Sequence, residues 1–138
     1  MKKILISGLI AGIVLLITSV LGLYTIIWFF PSLAAEYFNP VFDGQSERYI
    51  LYYAHPFVIS LILSWFWDRF KNLLSGSFLT LGIEFGLVYL FIAIFPMMWL
   101  IYSTMDLSIA MVATWFVFAL AQGIIAGLIF EKTNPLTT

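Results

Sequence analysis

Four long apolar stretches, separated by short clusters of polar and turn-forming residues, dominate the chain. They run from Ile4 to Phe30, Tyr49 to Trp67, Phe78 to Tyr102 and Leu107 to Phe130. A helix needs about 20 apolar residues to cross a hydrocarbon core of ~30 Å. No water is available there for backbone groups, so helices are the economical solution at this length. The pattern predicts an all-α transmembrane four-helix bundle in one domain over 1–138, with helices at approximately 4–30, 49–67, 78–102 and 107–130. The first exceeds the minimum and must tilt or protrude. Met1-Lys2-Lys3 before an apolar run also resembles a signal peptide, whose apolar region is about 7–15 residues long and ends at a small-x-small site. Here the run reaches Phe30 without one, and it reads as a retained helix.

Residues 31–48 form the one long connection, an outer loop. Ser32 opens and Pro40 closes a stretch that reads as a short interfacial helix, and Asp43-Gly44 reads as a turn. The other two connections are short, which predicts antiparallel packing of the second span on the third and of the third on the fourth.

Composition removes most other classes. Of 138 residues, 63% are hydrophobic and 9% charged, against about 45–50% and roughly 25% in a soluble domain. Such a chain cannot cover its own surface in water, so the lipid bilayer is its first partner. A net charge of −1 with scattered basic residues leaves no patch for nucleic acid. There is no cysteine and a single histidine, which removes disulfides, thiolate metal sites and a haem held by two histidines of one chain. No metal site and no cofactor is expected.

Charge then sets the orientation. Lys2, Lys3, Arg69, Lys71 and Lys132 fall on one side of a four-span scheme, and Arg48 falls on the other with Glu36, Asp43, Glu47 and Asp106. Basic loops stay in the cytoplasm. Both termini are therefore expected there, in a multi-pass protein of the bacterial inner membrane. Aromatic belts agree, with Trp28, Tyr49, Tyr52, Tyr53, Trp99 and Tyr102 near the outer ends and Trp65 and Trp67 near an inner one.

Small residues recur at helical spacing. Gly8, Ala11, Gly12, Ser19 and Gly22 share a sector of the first span, Gly82, Gly86 and Ala93 of the third, and Ala119, Gly123, Ala126 and Gly127 of the fourth. Each set lets backbones approach closely where no hydrophobic drive exists between helices. Packing within one chain is preferred here to a homo-oligomer, though a homo-oligomer or another membrane protein stays open as a partner. Gly8-x-x-x-Gly12-Ile13-Val14 and Gly82-x-x-x-Gly86-Leu87-Val88 also fit a parallel two-helix repeat.

Polar residues inside the spans are few. Glu84 lies about two turns into the third span, and an ionisable group there costs about 2.5–3.5 kcal/mol on insertion scales. The span's fourteen Leu, Ile, Val and Phe residues, at about −0.3 to −0.6 kcal/mol each, outweigh that cost. Depth places Gln122, Ser60 and Thr80 near the same level, so a cluster of Glu84, Gln122, Ser60 and Thr80 is expected. Two readings stand. One is an ion, proton or substrate site, and the other a protonated Glu84 bonded to Gln122 as structural glue, since burial raises a carboxyl pKa. His55 precedes Pro56 near the outer end of the second span, where the proline cannot donate to the Tyr52 carbonyl and a kink or wetted turn is expected. His55 reads as an interfacial polar residue, with a proton group or headgroup contact as the alternative. Pro96 predicts a second kink, freeing the carbonyl of Ile92. No nucleophile elbow, phosphate loop, metal-ligand spacing or carboxylate pair is present.

Trp28-Phe29-Phe30-Pro31 resembles the W-Y-x-P signature that ends the first helix in an uncharacterised family of small bacterial four-helix membrane proteins. Ala34 stands where that family usually has an aromatic after the proline, and Gly22 lies farther back than its usual glycine. The resemblance implies architecture alone. The chain is also similar in size to small multidrug transporters, but their essential glutamate lies in the first helix, which here has no acidic residue.

Three function classes remain. The first is a non-enzymatic accessory, assembly or lipid-contacting subunit, which is the preferred reading. The second is a small homo-oligomeric transporter or channel using Glu84, and the third a lipid-modifying enzyme with His55 as its one histidine.

Overall fold

A computed structural model describes residues 1–39 and 49–136. Asp43-Gly44, Glu47, Arg48 and the rest of 40–48 lie outside the described residues. Every described element is a helix: α1 (Lys2–Phe29), α2 (Pro31–Tyr37), α3 (Tyr49–Phe70) followed by a 3₁₀ turn (Lys71–Leu73), α4 (Phe78–Tyr89), a π turn (Leu90–Ile94), α5 (Phe95–Thr104) and α6 (Ile109–Thr133). Four helical stretches are long and apolar enough to cross a membrane, the third being α4, the π turn and α5 taken together.

Local chemistry sets the boundaries. Ser77 caps α4, its hydroxyl accepting from the Thr80 amide at 3.4 Å, and Ser108 caps α6 by accepting from Met111 at 3.1 Å. Such caps satisfy amides that have no partner in the first turn. Pro31 opens α2 at the position where its missing N–H costs nothing. The second and fourth spans run past their expected ends, through Asp68 and Arg69 and through Glu131 and Lys132. These charges follow the apolar stretch, where water can solvate them while the backbone ladder continues.

Helix neighbours differ in one respect from what the short connections predict. The third and fourth spans do pack side by side, α4 along α6. The second span lies along the first instead, and α1 also packs on α6. Gly8 and Gly12 explain the choice: a Cβ at Gly8 would stand 3.1 Å from the Leu61 Cα, and one at Gly12 would stand 3.2 Å from the Phe57 Cα. The α1 backbone is thus pressed onto α3. Residues 74–77, with Gly76 at φ +134°, let the chain leave α3 without laying α4 against it.

The α3 and α4 helices meet through aromatic rings at one end only. Trp67 and Phe85 stand edge to face at 5.3 Å, Phe85 and Phe130 at 5.8 Å, and all three are buried. This is the end that carries Lys2, Lys3, Arg69, Lys71 and Lys132, called the basic end below.

The two prolines inside spans behave differently. Pro56 is buried within an α3 that runs without interruption from Tyr49 to Phe70. Pro96 instead sits in the first turn of a restarted helix, where a missing donor is tolerated. The wide turn before it bonds the Phe95 amide to the Leu90 carbonyl, five residues back. A π turn amounts to one inserted residue, and the helical register shifts accordingly. Ala93, expected on the stripe of Gly82 and Gly86, is exposed, while Ile94 and Met98 are buried.

Candidate functional site

The hydroxyls and amides inside the spans close on one another. Gln122 Nε2 on α6 donates to Ser19 Oγ on α1 at 2.8 Å, and the Ser19 hydroxyl in turn donates to the Leu15 carbonyl at 2.8 Å. Ser7 of α1 and Thr133 of α6 share a hydrogen bond of 2.8 Å. Ser64 Oγ donates to the Ile4 carbonyl at 2.9 Å, tying α3 to the start of α1. Ser60, fully buried, donates to the Phe57 carbonyl of its own helix and fills the notch at Gly12.

The expected cluster of Glu84, Gln122, Ser60 and Thr80 is therefore not assembled. Gln122 and Ser60 face α1, and Thr80 is exposed and paired with Ser77 at 2.9 Å. Glu84 is half-buried and takes no hydrogen bond or ion pair among the described residues. Depth alone suggested the cluster, and azimuth undoes it. At about 100° per residue, Glu84 lies opposite Gly82 and Gly86, and those two glycines are what α6 covers. The reading of Glu84 as glue to Gln122 goes with it.

The glycines sit at helix contacts within the chain. A Cβ at Gly82 would lie 2.5 Å from Leu128 Cδ2, one at Gly86 would lie 2.9 Å from the Ile124 amide nitrogen, and one at Gly123 would lie 3.0 Å from the Gly86 Cα. One at Gly127 would lie 3.1 Å from the Gly82 Cα. Gly8 and Gly12 serve the α1–α3 contact in the same way.

His55 is exposed on α3 in the half remote from the basic end, beside the buried Pro56. Glu84 begins two turns from the opposite end, so the two do not form an acid–base pair. Among the described residues no three His, Asp or Glu side chains converge as a metal group would.

The densest polar network lies at the basic end, and the sequence reading missed it. Lys71 is buried and donates to Asn134 Oδ1 at 2.8 Å, to the Pro135 carbonyl at 2.9 Å and to the Asn134 carbonyl at 3.4 Å. Trp67 Nε1 donates to that same Asn134 carbonyl at 2.9 Å, and Asn134 Nδ2 donates to Asp68 Oδ1 at 2.7 Å. A lysine and an indole thus satisfy the carbonyls left over where α6 ends. The available signal was Trp67, Asp68 and Lys71 one turn apart, with Asn134-Pro135 as the stop of the last helix.

No protein-family model, curated protein or solved structure matches this chain. The likeness at Trp28–Pro31 therefore stands on those four residues.

At the other end of the bundle, α2 folds back onto α6. Tyr37 Oη and Thr114 Oγ1 share a 2.8 Å hydrogen bond, and the tyrosine ring stands edge-on to Trp115 at 6.2 Å. Burial pushes the Tyr37 phenol above its usual range, and the bond to Thr114 only partly opposes this. The sign follows from proton counting: above pH ~10 the unfolded phenol ionises first, the folded state holds the extra proton, and stability falls as pH rises. Docking of α2 is expected to loosen above that pH, read as faster hydrogen exchange at residues 33–37. Tyr37→Phe should remove that dependence.

Between α5 and α6 an open groove of about 220 Å³ is lined by Phe95, Met98, Trp99, Tyr102, Val112 and Phe116 among others. It has the chemistry of a lipid-facing surface.

Proposed function

We propose that this chain is a multi-pass protein of the bacterial cytoplasmic membrane, with both termini in the cytoplasm, that serves as a non-enzymatic accessory, assembly or lipid-contacting subunit. The observation that carries this reading is the use of the polar groups inside the spans. Gln122–Ser19, Ser7–Thr133 and Ser64–Ile4 hold helices of the chain together. The concentration of basic side chains at one end supports the orientation.

A second reading, a small transporter or channel, draws on Glu84, the carboxyl inside the third span that has no partner among the described residues. Proton flux separates the two. Vesicles holding the protein and vesicles holding Glu84→Gln are expected to leak protons alike, at the level of empty ones. Flux above that level, lost in Glu84→Gln, replaces the subunit reading with the transporter. Orientation has its own test in this cysteine-free chain. Ser75→Cys and Thr138→Cys are both expected to stay unlabelled by an impermeant thiol reagent in intact cells.

A further inference from the structure

The carboxyl of Glu84 has a setting that no other charged side chain shares among the described residues. Asp68, Arg69, Glu131 and Lys132 lie within a turn of a helix end, as do Lys2 and Lys3. Glu84 lies six residues past Phe78, about 9 Å along the helix at 1.5 Å per residue. It is half-buried and unpaired among the described residues, on the side of α4 opposite the glycines that α6 covers. Its surroundings along α4 and into the π turn are ordered. Thr80, Glu84, Leu87 and Phe91 follow one another at steps of four, three and four, the spacing of a helix–helix seam. Thr80, Leu87 and Phe91 are all exposed.

From this we infer that the stripe Thr80–Glu84–Leu87–Phe91 is a docking seam for a transmembrane helix of another membrane protein, one that sets a lysine or arginine against Glu84. The inference rests on the subunit reading and names the partner's chemistry. Charge complementarity selects the occupant. An acidic group in a span calls for a basic or donor group at its own depth, and a single polar residue in an apolar seam fixes its register. Among its described residues a second copy of this chain supplies no such group. Their lysine and arginine side chains stand at helix ends, Lys71 is held by Asn134, and Arg69 lies over the Trp65 ring at 5.9 Å. Two copies joined symmetrically through this stripe would set carboxyl against carboxyl.

The test uses the full chain, fluorescently labelled, in vesicles with labelled leucine–alanine transmembrane peptides. One peptide carries a single lysine at the depth of Glu84, a second carries it at the mirrored depth in the other leaflet, and a third has none. Energy transfer should report about tenfold tighter association with the first peptide than with the others. That preference should vanish in Glu84→Gln while its melting temperature stays unchanged, because the carboxyl has no partner to lose among the described residues. Equal association with all three peptides overturns the seam, as does a drop in the melting temperature of Glu84→Gln. Energy transfer between copies of the chain that Glu84→Gln abolishes assigns the stripe to self-association and also overturns it. Proton flux distinguishes the deeper failure: flux through Glu84 removes the subunit reading itself, whereas equal peptide binding without flux removes only the seam.

Discussion

Gly86→Leu is expected to part α4 from α6 and abolish cooperative unfolding of the bundle, while Gly86→Ala should cost about 1–3 kcal/mol. The contact there is backbone on backbone. A Cβ at Gly86 meets the Ile124 amide nitrogen at 2.9 Å and the Gly123 carbonyl carbon at 3.3 Å, and one at Gly123 meets the Gly86 Cα at 3.0 Å. No rotamer change relieves such a clash, so the helices themselves must move. Gly22 makes the informative control. Its Cβ would come closer, 2.1 Å from Cε1 of Phe118, yet that atom is the far end of a half-buried ring that can swing. Gly22→Ala is therefore expected to cost less than Gly86→Ala despite the shorter distance. Titration of each variant in micelles with increasing SDS orders them, and the reverse order would show that the α4–α6 seam yields.

Lys71→Met should be the most damaging single change outside the spans. The lysine's ammonium holds Asn134 Oδ1 and the Pro135 carbonyl, both under 3 Å, and lies 3.8 Å from Asp68. Methionine fills similar space and donates nothing. Each buried acceptor stranded in this way costs about 1–3 kcal/mol. The expected readout is loss of thermal stability together with rapid protease cleavage just after Thr133, because Trp67 alone is then left to hold the Asn134 carbonyl at the end of α6. Asn134→Leu should act through the same network, so the double variant is expected to lose less than the two single losses combined. Strict additivity would show that Lys71 and Asn134 act separately.

The four spans are legible because crossing length is a property of apolar runs, and runs of twenty or more residues leave little choice of class. Exact starts and stops were less so: α2 opens at Pro31 rather than Ser32, Ser108 caps a last helix expected from Leu107, and the second and fourth spans run past their expected ends. Azimuth was not. Gln122 and Glu84 sit at comparable depths, yet one faces α1 and the other points away from α6. That difference depends on which helices pair, and the pairing of α1 with α3 is decided by how Gly8 and Gly12 receive Leu61 and Phe57. Register was hidden too. Pro96 announces an irregularity, but only the five-residue bond from Phe95 to Leu90 shows that one residue is inserted and that Ile94 takes the place expected for Ala93. Lys71 was read for its sign alone, which is what topology rules use, and that reading overlooks a cation buried among carbonyls.

The widened turn at Leu90–Ile94 also limits how far anything can follow the outer side of the third span. From Thr80 to Tyr89 α4 runs regularly for about 14 Å at 1.5 Å per residue, roughly half of a ~30 Å hydrocarbon core. Beyond Phe91 the inserted residue rotates every later side chain, and a rigid neighbour in step below loses step above. Contact along this side of the helix is thus confined to about half of the span, and a rigid neighbour must veer away before it reaches the Trp99 and Tyr102 rings.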